Sequence, residues 1–412
     1  MSNHYYLRIE GVNLYAVLSD TSQISIIRGG SLLLREAIKI ISKHFSQLEP
    51  ISSGASVGLF EFDAETEQAA TELRQAVAER LNFHSLLQHL TFVVDIQAAG
   101  EHFLIDKEAV LARNRFSQMR QLTIAMPYHN QNPKIGPCAI DNLRPASAPQ
   151  EVRLQDEKKW VSQSVYKRLL YGRQQKRQFY RAETGLKLPF TQDLSELAEL
   201  KTDKFNNLNN KIAVLYFDGN GFSGIQARHC QTVDAMRCFD NAIQSKRKAF
   251  LKALLTEIKT DPLFLTADNK IRLETLLWGG DEMIFVVPAW CGLTLLNFFY
   301  QASQDWSFAG EALTHAGGIV FCQVGTPIQR VKKLAQDLAD AVKDSPQGRK
   351  QNLFEYAVLE SIDYPTESLE MLRRQQFGDL ASSRQPMRPF NHTALATVER
   401  LKKRCLKVKL MP

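Results

Sequence analysis

The stretch "LLWGGDEMIFVV", Leu276–Val287, decides the fold of its half of the chain. Two apolar runs flank a pair of glycines and a pair of carboxylates, so the pattern predicts two buried strands joined by a tight turn at Gly279-Gly280. Charge at the tip of an apolar hairpin is costly unless something binds it. Asp281 and Glu282 are therefore the first candidates for a functional site.

The surrounding sequence predicts one α+β domain. "KIAVLYFDGNGFSGI", Lys211–Ile225, is an apolar strand that stops at an Asp-Gly-Asn-Gly turn, and a helical pattern then continues to about Lys259. After the hairpin come a helix, the strand "HAGGIVFCQV", the amphipathic helix "PIQRVKKLAQDLADAVKDS" and the strand "NLFEYAVLE". This βααββαβαβ order favours one sheet with helices largely on one face.

The first part of the chain repeats this order in a weaker form. In "YYLRIEGVNLYAVLS", Glu10-Gly11 stands where Asp218-Gly219 stands, and in "ASVGLFEF", Leu59-Phe60 stands roughly where Asp281-Glu282 does. The alignment predicts an internal duplication whose first copy lost the hairpin carboxylates. The alternative is two unrelated α+β domains.

Length indicates the number of domains, and charge indicates the class of partner. A chain of 412 residues that is 44% hydrophobic favours two or three domains. Lysine and arginine outnumber aspartate and glutamate by 51 to 44. This moderate excess favours polyanionic partners such as nucleotides, nucleic acid or an acidic membrane surface.

Cysteine usage and hydropathy favour the cytosol. The six cysteines include no CxxC pair, and the start "MSNHYYLRIEG" lacks a signal core. The uncharged run from Met283 to Tyr300 is long enough to suggest a membrane span, but Pro288, Gly292 and Asn297 interrupt it. We expect a strand followed by a core helix there, and no membrane partner.

The segment from Lys158 to Ala182 carries eight basic residues, no acid and interleaved aromatics. Such a segment can bind phosphates or single-stranded nucleic acid. A solvated basic helix face is the alternative.

The carboxylates suit metal-dependent phosphoryl chemistry. Nucleotidyl transfer uses two metal ions roughly 3.5–4 Å apart, and Mg²⁺ prefers hard oxygen ligands. Asp218 at a strand end and Asp281-Glu282 on the next hairpin could supply them, while Gly219 and Gly221 let the loop backbone approach a triphosphate. Either motif alone is usually a turn with solvated acids. Their combination in strand, helix and hairpin order favours catalysis.

These residues resemble a known family. "FDGNGFSGI", "WGGDEMIFVVPA", "HAGGIVFCQVGTPI" and "LAQDLADAVKDSPQGRKQN" are similar to the catalytic palm of GGDEF diguanylate cyclases and of the large subunit of type III CRISPR effector complexes. "YYLRIEGVNLYAVLSDTSQISIIRGGSLLLREAI" is similar to that subunit's first palm. The resemblance covers roughly Tyr5 to Glu360 and is nearest to a stand-alone CRISPR-associated second palm domain protein.

The resemblance implies roles for individual residues. Asp218 and Asp281 would be metal ligands together with the Gly219 carbonyl, and Glu282 would be a ligand or an electrostatic helper. Lys343 would contact the triphosphate, with Arg349 as a weaker second. The implied nucleotide-binding set is Gly219, Asn220, Gly221, Phe222, Gly279, Gly280, Lys343 and Arg349, with Arg28, Gly29, Gly30 and Ser31 on the acceptor side.

Some family features are missing. No His-Asp dipeptide occurs, so the HD nuclease found in many CRISPR large subunits is not expected. Cys138 in "GPCAIDNLRPAS" has no cysteine neighbours, so the zinc-binding linker is not expected either. The short chain after Glu360 argues against docking into a CRISPR complex. No guanine-reading motif is recognisable after Phe222, which disfavours guanine selectivity.

We therefore predict two ferredoxin-like palm domains: a degenerate one at 1–135 and a catalytic one at 206–360. A basic helical linker at 136–205 would join them, and a basic helical segment would follow at 361–412.

The predicted function is a cytoplasmic nucleotide cyclase with two Mg²⁺ or Mn²⁺ ions. It would make a cyclic nucleotide or oligonucleotide second messenger from nucleoside triphosphates, ATP favoured, in antiviral defence. The predicted partners are an RNA or phage-derived activator and an effector that binds the product. The alternatives are a non-catalytic nucleotide- or RNA-binding scaffold and a diguanylate cyclase.

Overall fold

The computed structural model describes residues 3–122, 136–147, 151–154, 157–199, 207–360, 368–378 and 386–389. Within these ranges two principal sheets each carry helices, which confirms the predicted α+β class.

The N-terminal unit is built on a four-stranded sheet. Its elements are β1 (Asn3–Val12), α1 (Tyr15–Leu18), α2 (Ile24–His44), β2 (Glu49–Ser53), β3 (Val57–Ala64), α3 (Glu67–Phe83), β4 (Thr91–Ala98) and α4 (Phe103–Met119). The strand order is β2-β3-β1-β4, and each neighbouring pair is antiparallel.

A connecting region follows. It contains β5 (Glu151–Leu154), β6 (Glu157–Trp160), α5 (Gln163–Thr184) and α6 (Leu194–Ala198). The long helix α5 begins at the capping side chain of Ser162, which accepts a hydrogen bond from the Val165 amide, and ends at Gly185 in a left-handed conformation.

The second unit holds the candidate hairpin. Its elements are β7 (Lys211–Gly219), α7 (Phe222–His229), α8 (Val233–Ile258), β8 (Glu274–Gly279), β9 (Glu282–Pro288), α9 (Gly292–Ser303), β10 (Ser307–Phe308), β11 (Glu311–Ala312), β12 (His315–Gln323), α10 (Ile328–Lys343) and β13 (Leu353–Val358). The sheet order is β13-β12-β7-β9-β8, with only β12 and β13 parallel. The predicted order of elements is confirmed, with the small β10-β11 hairpin added.

The central strand β7 is buried on both faces. Its even-numbered residues from Ile212 to Tyr216 share an apolar cluster with the buried face of α10. Its odd-numbered residues from Ala213 to Phe217 share another cluster with α8 and α9. The prediction that helices lie largely on one face is therefore wrong: the uninterrupted apolar run of β7 belongs to a strand covered on both sides.

The two sheets share one topology. The order β2-β3-β1-β4 matches β8-β9-β7-β12, and in each unit helices follow the central strand before the hairpin. A Cβ on Gly11 would meet the Ser56 Cβ at 3.3 Å, and a Cβ on Gly219 would meet the Asp281 Cβ at 2.8 Å. The structural counterpart of Asp281-Glu282 is therefore Ser56-Val57. Leu59-Phe60 lies deeper in β3, opposite Leu7-Arg8, so that part of the sequence alignment was wrong.

Beyond β13 the structure describes α11 (Leu369–Phe377). Most of the predicted segment 361–412 lies outside the described residues. The run from Met283 to Tyr300 forms most of β9, a 3-10 turn at Ala289–Cys291 and most of α9. Within the described ranges, no helix combines the length and the apolar character needed to cross a membrane.

Candidate active site

Asp218 lies near the end of β7, one position beyond the residue pair Phe217 and Met283 that joins β7 to β9. This register brings it beside Glu282, the first residue of β9. On the other side of β7, Asp218 faces Ala316 of β12. The strand end and the hairpin thus bring together the two carboxylate motifs that lie about 60 residues apart in the sequence.

Tyr216 holds Glu282. The Tyr216 hydroxyl donates a 2.6 Å hydrogen bond to Glu282 Oε1. Burial raises the pKa of Glu282, and the charge of Asp218 raises it further. Burial beside Glu282 and Asp218 also raises the pKa of the Tyr216 phenol, so this hydroxyl stays protonated and donates.

Asp281 occupies the turn between β8 and β9. Burial raises its pKa to about 6, with further contributions from the charges of Asp218 and Glu282. A carboxylate crowded by two others in a partly desolvated place favours either a proton or a cation.

One lysine partly offsets this negative charge. Lys343, the last residue of α10, donates to Asp218 Oδ2, and both side chains are mostly buried, at 14% and 13% exposure. The Lys343 charge lowers the pKa of Asp281 and of Glu282. Arg349 follows in the next turn, but its exposed guanidinium lies 3.9 Å from Asp344 Oδ1 and reaches none of the three carboxylates.

The loop after Asp218 is fixed at both ends. The Asn220 side chain is buried and donates to Thr314 Oγ1 at 3.0 Å and to the Gln351 carbonyl at 3.2 Å. Gly221 is exposed with φ 67° and caps α7, a conformation that other residues adopt at a cost. Phe222 packs on Phe239 and the His315 ring, so its side chain belongs to the core. The Asn220 and Phe222 side chains thus make their contacts within the second unit and not with the three carboxylates.

The two hairpin glycines have different reasons to be glycine. Gly280 has φ 56° with open space at its Cβ position. Gly279 instead touches the N-terminal unit, where a Cβ would lie 2.3 Å from both the Cβ and the amide nitrogen of Ala55. The turn that carries Asp281 therefore abuts the equivalent turn of the first sheet.

The segment Arg28–Ser31 lies in α2, and all four residues are buried. The Arg28 guanidinium makes two 2.7 Å hydrogen bonds to Glu274 at the start of β8, and Lys176 of α5 donates to the same carboxylate at 2.8 Å. A Cβ on Gly29 would clash with the Arg168 carbonyl. Arg28 and Gly29 therefore pack α2 against β8 and α5, and the nucleotide-binding role of the segment stays a prediction.

Sequence reasoning missed Tyr216 and Glu274. Tyr216 could have been found, because residues two apart on a strand share a face and Tyr216 precedes Asp218 by two. The partner of Glu274 could not, since Arg28 lies 246 positions away.

The donor set fits a divalent cation by its chemistry. Three neighbouring carboxylates are hard oxygen ligands of the kind Mg²⁺ and Mn²⁺ prefer, and burial raises the pKa of two of them, Asp281 and Glu282. Among the described residues, however, no group of three or more His, Cys, Asp or Glu side chains is already arranged around a metal position. Binding would draw on Asp218, Asp281 and Glu282 and would compete with the Lys343 and Tyr216 bonds.

Comparisons with known proteins give matches among solved structures. No protein-family model and no curated protein matches the sequence. Csm1 from T.onnurineus matches with a TM-score of 0.53 and 11% identity, over 84% of this chain and 52% of that chain. The fold is similar to that of Csm1.

Two further Csm1 structures match this chain with similar TM-scores. A Csm1-Csm4 cassette in complex with one ATP matches with a TM-score of 0.52 and 12% identity, over 85% of this chain and 54% of that chain. The cassette in complex with pppApA matches with a TM-score of 0.51 and 11% identity over the same shares. This chain spans about half the length of the Csm1 chains it matches.

At 11–12% identity these matches show a shared fold. They confirm, at that level, the predicted similarity to the large subunit of type III CRISPR complexes. The narrower predictions, a stand-alone protein and a relation to GGDEF cyclases, stay predictions.

Proposed function

We propose that this chain is a metal-dependent nucleotidyltransferase that joins or cyclises nucleoside triphosphates and releases pyrophosphate, with ATP as the favoured substrate. The observation that carries the proposal is the grouping of Asp218, Asp281 and Glu282 at one end of the sheet, where burial, with added contributions from the charges of Asp218 and Glu282, raises the pKa of Asp281 to about 6. The Csm1 fold supports ATP, because matched cassettes hold ATP or pppApA.

Each side chain has a proposed task. A bound divalent cation would supply activation of the attacking hydroxyl and charge neutralisation at the leaving group. Asp218 and Asp281 would hold the cation in their deprotonated forms. Lys343 would exchange Asp218 for a phosphate oxygen, and the Gly221 turn would present backbone amides at the start of α7. Tyr216 would keep Glu282 oriented.

The product would be a cyclic or linear oligonucleotide acting as a second messenger. Its place in antiviral defence, an RNA or phage-derived activator and a separate effector are proposals that rest on the CRISPR resemblance.

The test is incubation of the full chain with each of the four ribonucleoside triphosphates and Mg²⁺ or Mn²⁺. Pyrophosphate is followed, and the product is identified by chromatography. We expect ATP consumption that Asp218→Asn and Asp281→Asn abolish. Asp305→Asn, a change of an exposed aspartate on the same unit, should leave it intact.

Other outcomes would select a different function. If no triphosphate is consumed and Asp281→Asn changes only nucleotide affinity, the chain is a nucleotide-binding scaffold. A product that contains guanine alone would make it a diguanylate cyclase.

A further inference from the structure

The inner face of helix α5 is bonded to neighbouring elements of the protein. Lys176 and Tyr180 bond to Glu274 and Thr275 of β8, and Arg168 bonds to Asp20. These contacts fix α5 between the two units. In the segment from Lys158 to Ala182, Arg168 and Lys176 are thus engaged within the protein. Only the exposed basic residues are available to a partner.

The outer face of α5 carries a row of arginines. Arg173, Arg177 and Arg181 are all exposed and lie four residues apart, so they follow one another at about 6 Å along the helix axis. After the left-handed turn at Gly185, Lys187 lies beside Arg177 and Arg181. Arg177, Arg181 and Lys187 line a cleft of about 380 Å³ together with Gln178, Leu188 and Pro189.

These four cations have no carboxylate partner in the part of the chain that the structure describes. The one acid of α5 is Glu183, whose carboxylate instead binds Arg35 at 2.8 Å and the Trp278 indole at 2.9 Å. The outer face therefore holds four positive charges and no compensating acid from its own helix.

We propose that the outer face of α5, formed by Arg173, Arg177, Arg181 and Lys187, binds a single-stranded nucleic acid through its phosphates. Guanidinium groups bind phosphate oxygens in pairs of parallel hydrogen bonds, and a row of evenly spaced arginines suits an extended chain of phosphates. The net charge of +7 adds long-range attraction.

The aromatic residues of α5 do not contribute to this surface. Tyr180 is buried in a stack with Phe190, and Phe179 packs edge-on against Trp278. Tyr166 and Tyr171, the other two aromatic residues of α5, pack against apolar clusters, so base stacking is not part of the proposed contact. Binding should be independent of sequence and strongly weakened by salt.

The experiment measures fluorescence anisotropy of labelled 15-nucleotide oligouridylate and oligodeoxythymidylate with the full chain, without triphosphate or divalent cation. Failure here is thus distinct from failure of the proposed enzyme. Three or four phosphate contacts predict a slope of about −2 to −3 in log affinity against log salt concentration. Arg173→Glu/Arg177→Glu/Arg181→Glu should weaken binding at low salt by at least tenfold.

The matched control is Arg80→Glu/Arg113→Glu/Lys259→Glu, which changes the net charge equally at exposed residues elsewhere. It should retain most of the binding, and both triple variants should keep the wild-type melting temperature. Equal losses in the two variants would overturn the proposal. So would a slope near zero, binding only to duplexes, or binding only to acidic vesicles.

Discussion

At the scale of single residues, Asp281 is a carboxyl group whose burial and charged neighbours raise its pKa well above that of a solvated acid. Its pKa of about 6 means that, between about pH 4 and pH 6, the folded protein holds a proton that the unfolded chain has released. Folding stability therefore falls as the pH rises through that window.

Asp281→Asn should remove this penalty. We expect the free energy of unfolding at pH 7.5 to rise by about 3 kcal/mol at most, with little change below pH 4. Urea unfolding at the two pH values measures the effect, and Asp305→Asn should change neither. A variant destabilised at pH 7.5 would contradict the crowding of the three carboxylates.

The same titration should appear in catalysis. If Asp281 acts deprotonated, the rate of pyrophosphate release rises with pH across about pH 6. Lys343 lowers the pKa of Asp281, so Lys343→Met should move the midpoint of this profile to higher pH. Lys350→Met, at an exposed lysine in the next turn, should leave it in place. If Lys343→Met does not shift the profile, the Lys343 charge does not influence the titration of Asp281.

At the scale of elements, α2, α5 and β8 meet at one buried ion cluster. Glu274 is buried, and Arg28 and Lys176 share its carboxylate, while burial lowers the pKa of Lys176 to about 8. Removing one member of such a cluster leaves charge unpaired in the interior, which is costly.

Arg28→Met should therefore lower the free energy of unfolding by about 3–5 kcal/mol. Arg177→Met, a change of the same type on the exposed face of α5, should cost less than about 0.5 kcal/mol. Urea unfolding compares the two. If Arg28→Met unfolds like the wild type but binds ATP more weakly, Arg28 has a nucleotide role after all.

The turns at Gly279 and Ala55 form the second contact between elements. Gly279→Ala would press a methyl group into Ala55, including its backbone, so a loss of about 1–3 kcal/mol is expected. Gly280→Ala meets open space and should cost only about 1 kcal/mol for its positive φ. Thermal unfolding of both variants tests the order, and a larger loss for Gly280→Ala would contradict it.

Local patterns predicted these elements better than their partners. The hairpin at Gly279-Gly280, the strand ending at Asp218 and the helix ending at Lys343 follow from apolar periodicity and turn residues, which short sequences contain. The apolar run of β3 contains no pair of glycines or carboxylates that marks its turn. The alignment therefore placed the counterpart of Asp281-Glu282 too late in the chain, at Leu59-Phe60. The prediction for Arg28 missed its ion pair with Glu274, since the two residues lie 246 positions apart and the local sequence gives no sign of the pair.

At the scale of the whole molecule, the two units hold each other reciprocally. Helix α2 packs on β8, and α8 packs on β2. Arg28 of the first unit binds Glu274 of the second. In return, Arg237 of the second unit donates to the Pro50 carbonyl at 3.1 Å and binds Glu61 of the first.

Such mutual support predicts a single cooperative unfolding unit. The slowest-exchanging amides of β1 and β7 should report the same free energy of opening in native-state hydrogen exchange. Arg237→Met should lower both values by a similar amount, whereas Lys39→Met on the outer side of α2 should lower neither. If Arg237→Met lowers only the value for β1, the units open independently.

The facing turns at Ala55 and Gly279 also bear on how this protein can change. In a homodimer of identical units, one codon sets both sides of a shared cleft, so a substitution that improves one side is imposed on the other. Here Ser56 and Asp281 lie on one chain but are encoded separately. One turn can thus specialise while the other is free to adapt to it.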